Sequence, residues 1–274
     1  MNEINFICGG LIKSGTTLLQ KTIDYHPDVC CLIEQEFTFL LELFIEENKN
    51  LNLHGYLSTD FNLSNYFFNT VNEIVCSECE VKTKGINENK FLVNNSFQIL
   101  EAFDEIKLIF ITRNPFDLSL STWDHEKRII SKGYVNKREK EKLPSSFQNL
   151  QKFLIERAKL WNLVTSRMFA AKEKFLQRVL IIRYEDLVNN KINTLSKIFK
   201  FLNVKTSSEI IDEIAAKTTF DRMKEDSLDP SFYKEARLSY GNDPRISKET
   251  FNKINSIAKH NIKKLNYESY KISK

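Results

Sequence analysis

The chain predicts an α/β fold, a parallel sheet flanked by helices, on three observations. Short apolar runs that suit buried strands alternate with amphipathic stretches at helical spacing, the order a parallel sheet requires. The first run, Ile4 to Cys8, leads through Gly10-Leu11-Ile12-Lys13-Ser14-Gly15-Thr16-Thr17 into a stretch with Leu18, Leu19, Thr22 and Ile23, which reads strand, turn, helix. Two later apolar runs, Leu108 to Thr112 and Val179 to Arg183, run straight into polar and charged residues. Ligands in open α/β sheets bind outside such carboxyl ends.

The remaining elements follow in order. His26-Pro27-Asp28 ends the first helix and leads to a strand at Val29 through Ile33, and a helix is predicted from Phe37 to Asn48. Asn50 to Asn89 is polar, Asn-rich and weakly periodic, with a helix around Leu63 to Ile74, and reads as an insertion covering the sheet. Phe91 to Val93 is a short strand candidate, followed by a helix through Phe97, Leu100 and Phe103. Leu150, Phe153, Leu154, Trp161, Val164 and Met168 mark a long amphipathic helix. Ile192, Leu195, Phe199 and Leu202 give another, and Phe251, Ile254, Ala258, Ile262 and Leu265 the last. The expectation is one domain over 1–274, with insertions at about 37–90 and 126–149.

Composition narrows the classes. A chain of 274 residues can bury a large single core. A net charge of +4 does not call for nucleic acid as a partner. The longest apolar run, Phe37 to Ile45, is broken by Thr38 and Glu42 and falls short of a membrane span. Strand-like sequence from Ile4 leaves no room for a signal sequence, so the expected location is the cytoplasm. Five cysteines, an odd count, then read as reduced thiols. Cys76 and Cys79 form a C-x-x-C without a second pair or His cluster to complete a zinc site, and read as two unpaired thiols. Cys30 and Cys31 read as small buried hydrophobes of the second strand.

The turn after the first strand carries the strongest chemical signal. The spacing from Gly10 to Gly15 fits a Walker A loop, but Thr16 stands where that loop has its lysine, and the cation has moved to Lys13. Backbone N–H groups at a helix start cradle an anion. A lysine inside the turn can hold that anion but is not placed to reach the β- and γ-phosphates of ATP. The plain alternative is an ordinary turn with Ser14 as helix cap and Lys13 on the surface.

At the second strand end, Asn114 suits a helix cap, Pro115 the first helical position and Asp117 the first turn. Arg113 and Ser121 lack such explanations and are placed to face an anion beside the first loop, Arg113 with a rigid fork of donors. A surface ion pair is the other reading of Arg113. At the third strand end Glu185 and Asp186 suit a cap, while Tyr184 either stacks on or bonds to a base, or packs.

Taken in order, Lys13-Ser14-Gly15-Thr16-Thr17, His26-Pro27-Asp28-Val29, Arg113-Asn114-Pro115 with Ser121, and Tyr184-Glu185-Asp186-Leu187 resemble the sulfotransferase family, across most of the chain. The resemblance, closest to bacterial-type members, implies a three-layer sandwich like that of P-loop NTPases. It implies transfer of a sulfuryl group from 3′-phosphoadenosine 5′-phosphosulfate, PAPS, to a hydroxyl or amine, with release of PAP and no need of a metal. Lys13 through Thr17 would hold the 5′ group and Arg113 with Ser121 the 3′ phosphate. Tyr184 and Phe220 would also bind the cofactor, Phe220 within Thr218-Thr219-Phe220-Asp221-Arg222-Met223-Lys224, which resembles an adenosine-contacting segment. Arg237 and Gly241 are what remains of a late Arg-Lys-Gly loop, with Leu238 in place of its first glycine.

Glu34 lies where tyrosylprotein and many bacterial sulfotransferases place a carboxylate, and is the expected general base, tuned by partial burial. Glu36 is its rival, and His125 a weaker one. Many relatives carry a lysine in a Lys-x-Pro context where this chain has Asn94-Asn95-Ser96, so a second catalytic cation is missing there. Glu126 to Lys142 is rich in Lys and Arg around Gly133, and is either a lid that recruits an acidic acceptor such as a glycan or a solvated loop. A small-molecule acceptor is the other possibility. Outside this family, the same loop would serve a small-molecule kinase using ATP and magnesium, or a non-catalytic nucleotide-binding module.

Overall fold

The structure is a computed structural model of the chain, and it describes residues 4–33, 73, 79–133, 149–225, 238–239 and 241–267. Five strands form one sheet: β1 (Phe6–Gly10), β2 (Val29–Leu32), β3 (Thr83–Asn87), β4 (Lys107–Thr112) and β5 (Val179–Arg183). Their order is β2-β3-β1-β4-β5, and every pairing is parallel. The chain fills one side of β1 with β2 and β3, then crosses to the other side for β4 and β5. The carboxyl end of β1 is thus the place where the strand order reverses, where a ligand crevice opens in such sheets.

Helices cover both faces. They are α1 (Thr16–Asp24), α2 (Asn89–Ala102), α3 (Pro115–Ser131), α4 (Leu150–Lys174), α5 (Tyr184–Asn189), α6 (Lys191–Leu202), α7 (Ser208–Lys217), α8 (Phe220–Glu225) and α9 (Lys248–Lys264). Alternate strand residues point to opposite faces. Ile7, Ile86, Leu108, Phe110, Val179 and Ile181 pack with Leu92 and Leu100 of α2, Trp161 and Met168 of α4 and Ala258 of α9. Phe6, Cys8, Ile109, Ile111, Leu180 and Ile182 pack on the other side with Leu19 of α1, Phe199 of α6 and Ile214 of α7. The result is the expected three-layer sandwich, with both sheet faces dry.

One strand differs from expectation. Phe91 to Val93 lies inside α2, and the strand is Thr83–Asn87, within the stretch that reads as an insertion. The apolar-run rule misses Thr-Lys-Gly-Ile-Asn because burial there is achieved by other means. Lys84 is only 1% exposed, its aliphatic stem being buried with the strand. Gly85 leaves room for the ring of Phe6, whose Cζ would stand 2.4 Å from a Cβ at that position. The predicted helix from Phe37 to Asn48 lies outside the described residues, as does that around Leu63 to Ile74 except for Glu73, which is helical. Of the segment from Glu126 to Lys142, the part up to Ser131 belongs to α3, and residues 134–148 lie outside the described set.

The thiol reading also needs correction. Cys30 of β2 and Cys79 form a disulfide, with Cα atoms 5.9 Å apart. The register explains it: Cys30 pairs with Lys84 in the parallel β2–β3 ladder, and Cys79 lies just upstream of β3. Cysteine parity carries no information about that proximity. Cys8 and Cys31 are free, buried and 3.7 Å apart, as small hydrophobes of the core, and Cys76 lies outside the described residues. Among the described residues no helix is long and apolar enough to cross a membrane.

Candidate anion-binding active site

The loop between β1 and α1 is held in a strained shape. Ser14 N donates to the Leu11 carbonyl at 3.0 Å, closing the turn. Lys13 has φ 68° and Gly15 φ 99°, both left-handed, and for a non-glycine residue that costs about 1 kcal/mol. Gly10 is required by close approach, since a Cβ there would meet the Ile111 carbonyl at 2.1 Å. Gly15 is the N-cap of α1 and provides no side-chain cap. Ser14 does not cap the helix either: its Oγ is fully buried with no hydrogen-bond partner among the described residues. A buried hydroxyl at a helix N-terminus with its bonding unspent is built to meet a ligand acceptor.

Beside the loop, β4 delivers Arg113. The residue is only 6% exposed, and Nη1 donates to the Lys13 carbonyl at 3.4 Å. Trp161 Nε1 fixes the strand end by donating to the Arg113 carbonyl at 2.8 Å. Asn114 caps α3 as expected, accepting from Asp117 N at 2.9 Å, with Pro115 in the first turn. Ser121 is half-buried on the same helix.

The third strand end works differently from its expected capping role. The N-cap of α5 is Arg183, whose Nε donates to Asp186 at 2.8 Å. The buried Glu185 carboxylate instead accepts from Asn114 N and Nδ2, both at 2.9 Å, and from Tyr267 OH at 2.7 Å. It locks the end of β5 to the end of β4. The Tyr184 ring lies 4.6 Å below the Arg113 guanidinium and fills the space that a Cβ on Gly15 would need, Cδ2 being 2.4 Å from it. Burial pushes its hydroxyl up to about 12. The Tyr184 ring thus packs against both the loop and Arg113.

His125, on α3, has its imidazole pushed down to about 4, first by burial and then by the positive charges of Lys13 and Arg128. Its Nδ1 stands 3.3 Å from Arg128 Nη2, so that nitrogen accepts and the ring is neutral near pH 7. The Lys13 field reaches His125, but so low a value makes it a poor proton acceptor. Phe220 opens α8 and is packed against the core layer that contains α1 and α6. Glu34, Glu36 and Arg237 lie outside the described residues. After Arg237 the chain returns to this region: Ser239 Oγ donates to Asp117 Oδ1, and Gly241 with φ 90° abuts Phe251.

Sequence reasoning missed the carboxyl end of β3. It sought a cation at Asn94-Asn95-Ser96, which the structure puts in mid-α2, with Asn95 at a kink (φ −119°, ψ 16°). The residues next to the loop are Asn87, Glu88 and Asn89. Glu88 N donates to the Cys8 carbonyl at 2.9 Å and its side chain is fully buried. Asn89 reaches Gly10 N at 3.2 Å and Thr16 Oγ1 at 3.4 Å. The available signal was Ile86 followed by a polar run and then an amphipathic helix, the pattern that marked the other strand ends.

The geometry is a pair of cations, Lys13 and Arg113, flanking a helix N-terminus. Residues 4–266 match the family described as the sulfotransferase domain. Among solved structures the chain is similar to mouse sulfotransferase SULT7A1 complexed with PAP, at 16% identity over 97% of this chain and 86% of that one, with TM-score 0.63. It is similar to sulfotransferase STF9 from Mycobacterium avium, at 11% identity over 100% and 78%, with TM-score 0.57. A third is the sulfotransferase domain from the curacin biosynthetic pathway, at 16% identity over 99% of each chain, with TM-score 0.53. At such identities the structures show a shared fold, while the family match spans nearly the whole sequence: the chain belongs to the sulfotransferase domain family.

Proposed function

We propose that the protein transfers a sulfuryl group from PAPS to a hydroxyl or amine acceptor and releases PAP. The observation that carries this is the loop itself, which has its cation at Lys13 inside the turn, a second cation at Arg113 beside it, and a buried Ser14 hydroxyl awaiting an acceptor. That donor set fits two separate anions rather than a triphosphate chain. PAPS, when bound, supplies the sulfuryl group already attached to a phosphate leaving group. The N–H groups at the start of α1, with Ser14, Gly15, Thr16 and Thr17, hold the 5′ end, and Lys13 neutralises charge growing on the bridging oxygen. Arg113 and Ser121 hold the 3′ phosphate, with Tyr184 supporting Arg113 from below. Phe220 contacts the adenosine, and Arg237 joins the phosphate site from the segment that Ser239 ties to Asp117. Glu34 takes the acceptor proton, with Glu36 as its nearest rival. As in phosphoryl transfer, the work is mostly positioning and charge stabilisation.

The acceptor is a small molecule; an acidic acceptor such as a glycan is the second reading, supported by the basic run of Lys127, Arg128 and Lys132 at the end of α3, continuous in sequence with Lys137, Arg138, Lys140 and Lys142. The family match across 4–266 supports a single domain. A cytoplasmic location carries a condition, since the Cys30–Cys79 disulfide must then persist against a reducing pool. Thermal unfolding with ligands tests the function directly. PAP without magnesium should raise the melting temperature, because a ligand that binds only the native state stabilises it, and ATP with magnesium should do so far less. A larger shift with ATP would favour a kinase. Radiolabelled PAPS offered to glycans and to small alcohols and amines then identifies the acceptor class.

A further inference from the structure

Asn89 lies outside the loop motif, yet its amide touches both ends of the loop. Gly10 N, at the last residue of β1, donates to Asn89 Oδ1 at 3.2 Å, and Asn89 Nδ2 donates to Thr16 Oγ1, at the first residue of α1, at 3.4 Å. The first bond fixes which way the amide faces, because a backbone N–H can only meet the carbonyl oxygen. Between these two anchor points the chain passes through left-handed Lys13 and Gly15. A strained conformation of that kind persists only when its surroundings hold it.

The anchor is itself well held. Asn89 is the first residue of α2, joined to β3 through the N-cap Glu88, whose N–H donates to the Cys8 carbonyl at 2.9 Å. Gly9 supplies the clearance: a Cβ there would stand 3.0 Å from the Glu88 carbonyl oxygen, 3.2 Å from Asn89 Oδ1 and 3.3 Å from Asn89 Cα. A side chain at position 9 would press on Glu88 and Asn89, which would have to give by a few tenths of an ångström. The second bond also does something chemical. With its oxygen accepting from Asn89, the Thr16 hydroxyl keeps its own hydrogen to donate elsewhere, and Thr16 is the first residue of α1, at the helix end that favours an anion.

From these contacts we infer that Asn89 is a positioning residue that clamps the phosphate loop at Gly10 and Thr16 and thereby sets affinity for the 5′ anion. The inference rests on the PAPS reading of the site, and the ligands that test it are chosen to separate the two. PAP carries a 5′ and a 3′ phosphate, whereas adenosine 3′-monophosphate carries the 3′ phosphate alone. By calorimetry, Asn89→Ala should weaken PAP binding about tenfold, the size expected for losing a bond that orders charge-binding donors, and leave adenosine 3′-monophosphate unchanged. Asn89→Asp, which keeps the shape and the acceptor for Gly10 N but loses the donor to Thr16 and adds negative charge, should weaken PAP at least as much. Gly9→Ala should reproduce the selective loss. Unchanged PAP affinity in Asn89→Ala and Asn89→Asp, or equal loss for both ligands, overturns the clamp while parent binding of PAP leaves the PAPS reading standing. Failure of the parent protein to bind PAP overturns both.

Discussion

The Arg113 guanidinium lies 4.6 Å from the centre of the Tyr184 ring, and the same ring occupies the space left by the missing side chain of Gly15. One aromatic residue therefore touches the loop proposed for the 5′ anion and the arginine proposed for the 3′ phosphate. The ring, rather than the hydroxyl, makes both contacts. Tyr184→Phe should thus bind PAP within about twofold of the parent, and Tyr184→Leu should bind about tenfold more weakly, having lost the cation–π contact and the packing together. Equal losses in both variants would move the role to the hydroxyl.

Arg113 and Lys13 should separate binding from chemistry. Arg113→Ala removes a charge-assisted bond from a buried position and should cost about 2 kcal/mol of PAP affinity, read by calorimetry. Lys13→Ala should lower turnover by a larger factor than it lowers PAP affinity, because its contact strengthens as the leaving oxygen gains charge. Steady-state kinetics at saturating PAPS beside the calorimetry gives the comparison. Equal PAP affinity in Arg113→Ala and the parent removes Arg113 from the site.

Much of this arrangement is legible in the sequence where burial is achieved by apolar side chains. β1, β4 and β5 lie on the apolar runs, and each leads into residues of the candidate site. Asn114 caps α3 as its type and position require. β3 was hidden because a lysine stem and a glycine do the packing, and with it went Glu88 and Asn89. Glu185 is the opposite case. A carboxylate in the first turn of a helix has a sound local explanation, and only the tertiary approach of Asn114 and Tyr267 shows that its oxygens are used elsewhere. The Cys30–Cys79 bond depends on strand register, which residue types alone do not specify.

The environment of His125 predicts a measurable acid sensitivity. The fold pushes its pKa from the ordinary 6.5 down to about 4, so the folded protein resists a proton that the unfolded chain accepts. The unfolded state then binds more protons in that interval, and stability falls as pH drops through about 6.5 toward 4. His26, whose pKa burial also lowers, acts in the same direction, so the useful comparison is between variants. Urea midpoints of the parent should decline more steeply from pH 7 to pH 4.5 than those of His125→Gln. Parallel curves would show that neither burial nor the charges of Lys13 and Arg128 lower the pKa of this imidazole in the fold.

The proton acceptor is the remaining chemical assignment, and two strand ends compete for it. Glu34 follows in sequence on Ile33, the last described residue after β2, which is 60% exposed. Glu88 follows the last residue of β3, one strand nearer the loop, but is fully buried. A general base must be within hydrogen-bond reach of the acceptor proton, which favours the exposed end. Glu34→Gln should therefore lower turnover about a hundredfold at saturating PAPS, the range for a lost general base, with PAP affinity nearly unchanged. Glu36→Gln, assayed with the same acceptor, should stay near the parent. Glu88→Gln keeps the shape of a buried side chain whose backbone N–H bonds to the Cys8 carbonyl, so any effect should fall on PAP affinity more than on turnover. If Glu88→Gln alone abolishes turnover while binding persists, the base belongs to β3 and the acceptor enters between β3 and β1.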